Sequence, residues 1–435
     1  MDLLQKLEER IAPRLMEIVK IAGASASAKG QSLYLVGGAV RDLLLDRANI
    51  DLDLVVEGNA LELAGDLSVR LGSKLVSHDR FGTAKLICGA FTLDLVTARS
   101  ETYERPGALP SVKPGSLRED LARRDFSINA MALGLSPPHT GELIDPFGGK
   151  ADLGSRLMRV LHEQSFVDDA TRLLRAVRYE RRLNFRLEPG TEELARRDVA
   201  YLDTISGDRL RHELELIFGE REPEVILARA DALGILGKIL PGLCGKERLK
   251  QSFPRAREMF QPKQPPMGVY LSLVAWDLGL EEIERLTTRL NLPGRLARVM
   301  RDSARLRKRL PAFRPGMKRS EIYEMLSRVL PYAIQTNIIA GEHPAASAAM
   351  ELYLNELRWT KAETEGARLR ALGAPPGPGI GRILHAIRMA RLDGLVRDRG
   401  EEEALAVELI EKESRMQNSE SRRAHPTRGL PPSRE

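Results

Sequence analysis

Two aspartates, Asp51 and Asp53, stand among leucines, valines and an isoleucine in the run NIDLDLVVEG. In an extended strand alternate side chains leave the same face, so these carboxylates point one way and Leu52 and Leu54 the other. Side-by-side carboxylates repel. A bound divalent cation removes that cost, and oxygen ligands of this kind suit Mg²⁺, which completes its shell with water and substrate phosphates. The same pattern also fits two solvent-facing aspartates on an amphipathic strand. Asp94, in FTLDLVT, offers a third carboxylate on a neighbouring strand, as part of the same site or as a structural support. Upstream, LYLVGGAVRDLLL sets Gly37 and Gly38 between an apolar run and a helical one. Glycines there let the backbone approach a phosphate, and the free N–H groups of a helix start favour an anion; many strand-to-helix turns carry glycine for geometry alone. Arg41 adds a fork of donors for the same anion. Taken together, these elements make a plan for nucleotidyl transfer. Glycine turn and arginine hold a triphosphate, the aspartates hold two metals, and a hydroxyl is activated between them.

Those residues need elements that bring them together. SLYLVGG reads as a strand, AVRDLLLD as a helix, IDLDLVV as a strand, NALELAGDLSVRLG as a helix and AKLICGAFTLDLVTA as a two-stranded hairpin. Short strands mixed with helices predict an α/β domain. Residues 105–116, RPGALPSVKPGS, are rich in Pro, Gly and Ser and read as a mobile loop. LREDLARRDFSINAMAL reads as one helix, followed by a turn at SPPHTGELIDPFGG. Ser165 is placed to cap a helix FVDDATRLLRAVRYERRL, and the chain beyond residue 152 reads as helical almost throughout. The final polar, Pro-rich stretch is expected to be disordered.

The motifs VGGAVRD, DLD, RRDFSINAMA, DPFGG and DDATRLLRAVRY occur in order, and with them the chain resembles the class II tRNA nucleotidyltransferases and the related bacterial poly(A) polymerases. The likeness is dense over about residues 30–220 and fainter beyond, in PPGPGIGRILHAI. It implies a polymerase-beta-like α/β head with a mixed sheet, followed by an all-α neck, body and tail. The expected organisation is an N-terminal helix over 1–29, a catalytic head over 30–151, a neck over 152–220, a tRNA-binding body and tail over 221–415, and a disordered end over 416–435. By the same resemblance, Gly38 and Arg41 contact the incoming triphosphate, and Asp51 and Asp53 hold Mg²⁺. Arg124, Asp125 and Asn129 shape the nucleotide and sugar site. Asp169 and Arg172 fall on the family's base-reading pair, with Arg175 and Arg178 on its following arginines. Two positions depart from the family's pattern: Asp168 stands where Glu is common, and Ser127 where Thr is usual.

At about 100° per residue, Asp169, Arg172 and Arg175 share a polar stripe opposite Ala170, Leu173, Leu174 and Val177. By itself this fits a solvated face with a surface Asp–Arg pair. Beside a triphosphate the pair has a further use. An ionised Asp only accepts hydrogen bonds and an Arg only donates them. Cytosine and adenine each present an amino donor next to a ring-nitrogen acceptor. Uracil and guanine present a carbonyl oxygen next to a ring N–H. The pair therefore favours CTP and ATP, and no nucleic-acid template is required. Whether the chain adds CCA, CC only, A only or poly(A) is not encoded in these motifs.

The bulk properties agree with that expectation. The chain has 435 residues, 43% hydrophobic, with a net charge of +6. That length supports a sizeable core and more than one domain. The basic balance is weak by itself, but the arginine-rich run RLTTRLNLPGRLARVMRDSARLRKRL supports an RNA-binding body, with the tRNA 3′ end as partner. Aromatics make up only 5%, which argues against base stacking as the dominant mode. Cys88 and Cys244 form neither a disulfide framework nor a zinc site, and no signal or membrane-spanning segment is evident, so a cytoplasmic location is expected. His78, His139, His162 and His212 show no metal spacing and no nucleophile partner. Trp276 and Trp359 read as core.

Overall fold

The chain, described by a computed structural model over residues 2–47, 52–78, 82–243 and 247–424, builds its N-terminal part around one seven-stranded sheet. Asp51 lies outside the described residues. The strands that follow from β-branched and apolar runs are β1 (Ser32–Val36), β2 (Asp53–Glu57), β3 (Lys74–His78), β4 (Thr83–Cys88) and β5 (Phe91–Thr97). Beside them run the short ribbon β6 (Arg99–Thr102) and β7 (Ser111–Pro114), then β8 (Ala132–Gly134) and β9 (Leu143–Ile144). The sheet order is β3-β4-β5-β2-β1-β8-β9, antiparallel except for the parallel pair β2–β5. Parallel pairing needs a crossover, here the helix at Ala60–Leu71 and the β3–β4 hairpin.

Helices cover both faces. The N-terminal segment is two helices, α1 (Leu3–Arg10) and α2 (Pro13–Ala28), the break coming where Pro13 takes the first position of the second. Next come α3 (Gly38–Leu44) and α4 (Ala60–Leu71). Asn59 caps α4 by accepting from the N–H groups of Leu61 and Glu62, and Gly72 ends it in a left-handed turn. α2 packs on β1 and α4, and α4 on β4 and β5. Across the sheet Tyr34, Val36 and Val55 meet Leu117 and Leu121, all buried.

The stretch expected as a single helix over LREDLARRDFSINAMAL is three elements. α5 (Leu117–Ala122) starts at a capping box between Ser116 and Glu119 and stops at Arg123. A 3₁₀ turn covers Ser127–Asn129, and β8 follows. The sheet edge claims the apolar half: β8 pairs with β1, and the main chain of Phe126 bridges to Val160. The proposed mobile loop 105–116 is partly strand, because β7 pairs in register with β6.

Beyond α6 (Gly149–Ser155), the helix expected to be capped by Ser165 is also broken. α7 (Ser165–Asp168) ends at Asp169, whose backbone is extended at φ −141°, ψ 95°, and α8 (Thr171–Leu183) begins again after it. Ser165 is fully buried and caps nothing; its hydroxyl accepts from Arg172 Nη1 at 2.7 Å. α9 (Pro189–Asp198) and α10 (Gly207–Phe218) complete the part that matters for the site.

The chain divides into two compact units, Met1–Phe253 with Glu284–Leu292, and Pro254–Ile283 with Pro293–Glu435. The second is helical. One of its apolar clusters includes Leu306, Phe313, Ile334, Met350 and Leu357, and another Leu369, Ile383, Ile387 and Ala406. Trp276 is core there, its indole N–H donating to Glu342 at 2.7 Å. Trp359 is not core: it is 63% exposed, with the Arg358 guanidinium 4.4 Å above its ring. Of the end expected to be disordered, 416–435, the part up to Ala424 belongs to the helix Arg399–Ala424, which is rich in Glu and Arg, and residues 425–435 lie outside the described residues. Among the described residues no helix is long and apolar enough to cross a membrane.

Candidate active site

Gly37 occupies the turn from β1 into α3 with φ +69°, a conformation that disfavours any other residue. A Cβ at this position would lie 2.4 Å from Arg124 Nη1. Arg124 is aimed there by Asp120, a fully buried carboxylate that also accepts twice from Arg123. Gly38 opens α3 with Arg41 beside it. Arg41 is buried. Its Nε and Nη2 donate to Asp42 at 3.0 and 2.8 Å, and its Nη1 donates to Asn129 Oδ1 at 2.5 Å. Among the described residues three of its five N–H donors are engaged, which holds the guanidinium plane.

Asp53 starts β2 and reaches the same cleft. Its register partner on β5 is Asp94, so the two carboxylates leave one face of the sheet as neighbours. Asp94 pairs with Lys85 at 3.3 Å, both side chains about half exposed. Such a pair is worth only about 0–1 kcal/mol, so it is readily exchanged for a stronger cation. The donor set fits a hard divalent ion: neighbouring carboxylates, of which Asp53 lines the cleft. Among the described residues no cluster of three His, Cys, Asp or Glu side chains forms a metal cage.

Asp125 is a hub of hydrogen bonds on the cleft wall. It is buried, accepts from Arg175 Nε and Nη2 at 2.9 and 2.6 Å, and accepts from Asn129 Nδ2 and the Phe126 N–H, each at 2.9 Å. Burial pushes its carboxyl up, but the Arg175 charge and the Asn129 bond outweigh that and hold it below the usual carboxylate range. On Arg175, burial acts downward, and the charges of Asp125, Tyr179 and Glu213 more than offset it, so its pKa is raised. Tyr179 lies under Arg41, Arg175 and Arg178, with guanidinium carbons 5.5, 5.5 and 4.9 Å from its ring centre. Arg178 itself is buried against Glu213 and Glu220, at 3.5 and 3.7 Å, and does not line the cleft.

The proposed base-reading pair lies at the α7–α8 break. Asp169 and Arg172 do not bond each other. Asp169 Oδ1 accepts from the Thr171 N–H at 2.9 Å and the Thr171 hydroxyl at 2.6 Å, and forms an ion pair with Arg209 Nη2 at 2.7 Å. Arg172 donates to Ser165 Oγ and, at 2.6 Å, to the Arg123 carbonyl. Asp168 Oδ2 lies 3.9 Å from His162 Nε2. Burial pushes the Asp168 carboxyl up, although His162 and Arg172 oppose it, and burial pushes His162 down.

One cleft of about 410 Å³ gathers most of these groups: Gly38, Arg41, Asp53, Arg124, Asp125, Asn129, Asp169, Arg172 and Arg175 all line it. Gly37 stands behind Arg124, and Asp94 beside Asp53. The lining also includes Glu101, Tyr103, Arg123, Thr171, Tyr179 and Glu213, which motif reading did not single out. Arg123, Thr171 and Tyr179 sit inside or next to quoted motifs and were within reach. Glu101, Tyr103 and Glu213 carry no local signal. Tyr103 donates to Glu101 at 3.1 Å, and burial, reinforced by the Glu101 charge, pushes its phenol up to about 12. In the arginine-rich run, Arg289 donates to the Leu202 and Ile205 carbonyls and is structural, whereas Arg298 and Arg305 are 57% and 62% exposed.

Two family models match the chain: the poly A polymerase head domain over residues 33–159, and a probable RNA- and SrmB-binding site of polymerase A over 184–246. An A-adding tRNA nucleotidyltransferase of Geobacter sulfurreducens is 35% identical over 87% of this chain and 45% of its own length, so the chain spans less than half of that relative. The A-adding tRNA nucleotidyltransferase of Halalkalibacterium halodurans is 32% identical over 88% of this chain and 90% of its own. The CC-adding tRNA nucleotidyltransferase of Deinococcus radiodurans is 34% identical over 85% and 87%. Among solved structures, an apo form of a CCA-adding enzyme superposes with a TM-score of 0.80 at 34% identity, covering 96% of this chain and 99% of that one. The Thermotoga maritima CCA-adding enzyme complexed with tRNA superposes at 0.74 with 33% identity, covering 95% and 98%.

Proposed function

Since the chain belongs to the tRNA nucleotidyltransferase family, we propose that it adds C and A nucleotides to the 3′ end of tRNA from CTP and ATP. The 3′-hydroxyl oxygen bonds to the α-phosphorus as the bond to pyrophosphate breaks. The observation that carries this reading is the single cleft lined by a phosphate grip, an acidic strand and an Asp–Arg pair.

Arg41, the main chain at Gly37 and Gly38, and Arg124 bind the triphosphate. Asp125, fixed by Arg175 and Asn129, orients the sugar. Asp169 accepts from the amino group of cytosine or adenine while Arg172 donates to the adjacent ring nitrogen, and a keto base leaves both unsatisfied, which discriminates strongly. Asp53 and Asp94, together with Asp51, would hold Mg²⁺, which supplies charge neutralisation at the phosphates and a more acidic attacking hydroxyl. In this reading residues 30–151 are the catalytic head, 152–220 the base-reading neck and the later helices the tRNA-binding body, acting in the cytoplasm.

A second reading, addition of A alone, is favoured by the A-adding names of the Geobacter and Halalkalibacterium relatives. Purified protein given tRNAs ending before CCA, after C and after CC, with CTP and ATP separately and together, separates the two. Full CCA synthesis on the shortest tRNA supports the first reading. Extension only of the tRNA ending in CC supports the second, and no incorporation into any of the three overturns both.

A further inference from the structure

Asp169 sits where α7 has already ended and α8 has not begun, with an extended backbone. A carboxylate in such a break is not oriented by a helix, yet base reading requires one oxygen in a constant place. Three groups converge on Oδ1: the Thr171 N–H and hydroxyl from the start of α8 donate to it, and Arg209 Nη2 from α10, remote in sequence, forms an ion pair with it at 2.7 Å. The Thr171 contacts are local and swing with the same turn. Arg209 is the one of the three that comes from another element, so it ties the carboxylate to the body of the domain. Its second nitrogen, Nη1, reaches the Gly107 carbonyl at 3.4 Å. Both side chains are well covered, Arg209 at 28% and Asp169 at 20% exposure.

We propose that Arg209 is a specificity-determining positioning residue, which pins Oδ1 of Asp169 so that Oδ2 is the oxygen presented to the incoming base. Its effect is on choice, because of what surrounds the carboxylate. The Thr171 hydroxyl lines the cleft and can donate or accept. While Arg209 holds Oδ1 in place, that hydroxyl is spent as a donor to it. Released from Arg209, the carboxylate rotates, the hydroxyl is freed, and an O–H donor becomes available to the keto oxygen of uracil or guanine. The acceptor-only character of the site is then lost at the position that reads the base. The guanidinium touches neither substrate nor reacting atoms; it acts through Asp169.

This inference rests on the base-reading role proposed above, and the experiment keeps the two apart. Parent, Asp169→Ala, Arg209→Gln and Arg209→Lys proteins are assayed for kcat/KM with CTP, ATP, UTP and GTP on a tRNA acceptor, after circular dichroism confirms folding. Arg209→Gln is expected to lose at least about tenfold of the discrimination against UTP or GTP, the value of one misplaced hydrogen bond of about 1.4 kcal/mol. Arg209→Lys, which restores a cation without the fork, is expected to recover part of it. If both Arg209 variants slow all four nucleotides equally, or discriminate as the parent does, the positioning role is overturned while the role of Asp169 stands. If Asp169→Ala also discriminates as the parent does, the base-reading role falls and this inference with it. Should Arg209→Gln fail to fold, the same criterion applies to Arg209→Lys, whose unaltered selectivity would overturn the proposal.

Discussion

Asp53 and Asp94 stand directly opposite each other in the parallel register of β2 and β5, and so leave the sheet side by side on one face. Neither is adjacent to the other in sequence, and the crossover through α4 and the β3–β4 hairpin is what unites them. If they hold a metal ion, Asp53→Asn removes several kcal/mol of transition-state charge stabilisation. At about 1.4 kcal/mol per factor of ten this is a loss of roughly a thousandfold in nucleotide incorporation. Asp94→Asn is expected to act in the same direction, less severely. It should change the urea midpoint little, because the Lys85 pair it breaks is half exposed. Incorporation near the parental rate in a folded Asp53→Asn protein would sink the metal assignment.

Asp125 links the candidate site to stability. Its carboxyl is held below the ordinary range in the folded protein, chiefly against burial by the Arg175 charge. A depressed native value means the unfolded chain binds the proton more readily. The stabilisation is therefore present above the unfolded carboxylate value of about 3.9, and is lost as pH falls from there through the native value. Asp125→Asn leaves Arg175 half-buried, with Glu213 at 3.7 Å as its remaining carboxylate partner among the described residues, and is expected to cost about 3 kcal/mol at pH 7. The difference in urea stability between parent and variant should shrink below pH 4. A gap that stays constant from pH 7 to pH 3 contradicts this account.

Gly37→Ala meets two penalties at once, a positive φ and a Cβ placed 2.4 Å from Arg124 Nη1. Strain at the turn costs roughly 1–3 kcal/mol, and Arg124 must move away from the turn. Thermal unfolding should fall and KM for the nucleotide should rise together. Gly38→Ala has a nearest neighbour at 3.4 Å, the end of the flexible Arg41 side chain, and no positive φ, so its stability loss should be clearly smaller.

Tyr103 should be silent in an alkaline titration. Burial first and the Glu101 charge second push its phenol up to about 12. The absorbance change at the tyrosinate wavelength between pH 9 and 11 is therefore expected to be the same in parent and Tyr103→Phe protein, provided both remain folded. A drop by one tyrosine's share in the variant would show that Tyr103 titrates normally and is not enclosed by the cleft.

Much of this site is written locally. Gly37, Gly38 and Arg41 belong to one strand-turn-helix, and the alternation along Asp53–Glu57 sets which side chains share the face of Asp53, because a period of two is a property of any strand. The motif RRDF and the helix after Asp169 likewise carry their polar groups in short runs that a linear reading can find. Where local reading failed, a distant partner overrode it. The apolar residues of DFSINAMAL fit a helical stripe, but β1 offered them a sheet edge. Ser165 has the chemistry of a cap, but the Arg172 guanidinium took its hydroxyl. Trp359 has the composition of a core residue and lies in the open with Arg358. At the break between α7 and α8 the Asp169 carboxylate meets Arg209 of α10 as well as the local Thr171. Glu101, Tyr103 and Glu213 reach the cleft from segments with no motif, because a folded chain brings together side chains that sequence separates by tens of residues. The sequence by itself determined which chemical groups are available and the direction each local element points them. Tertiary structure decided which groups meet, since hydrogen bonds and ion pairs depend on distances of a few ångströms that no spacing along the chain specifies.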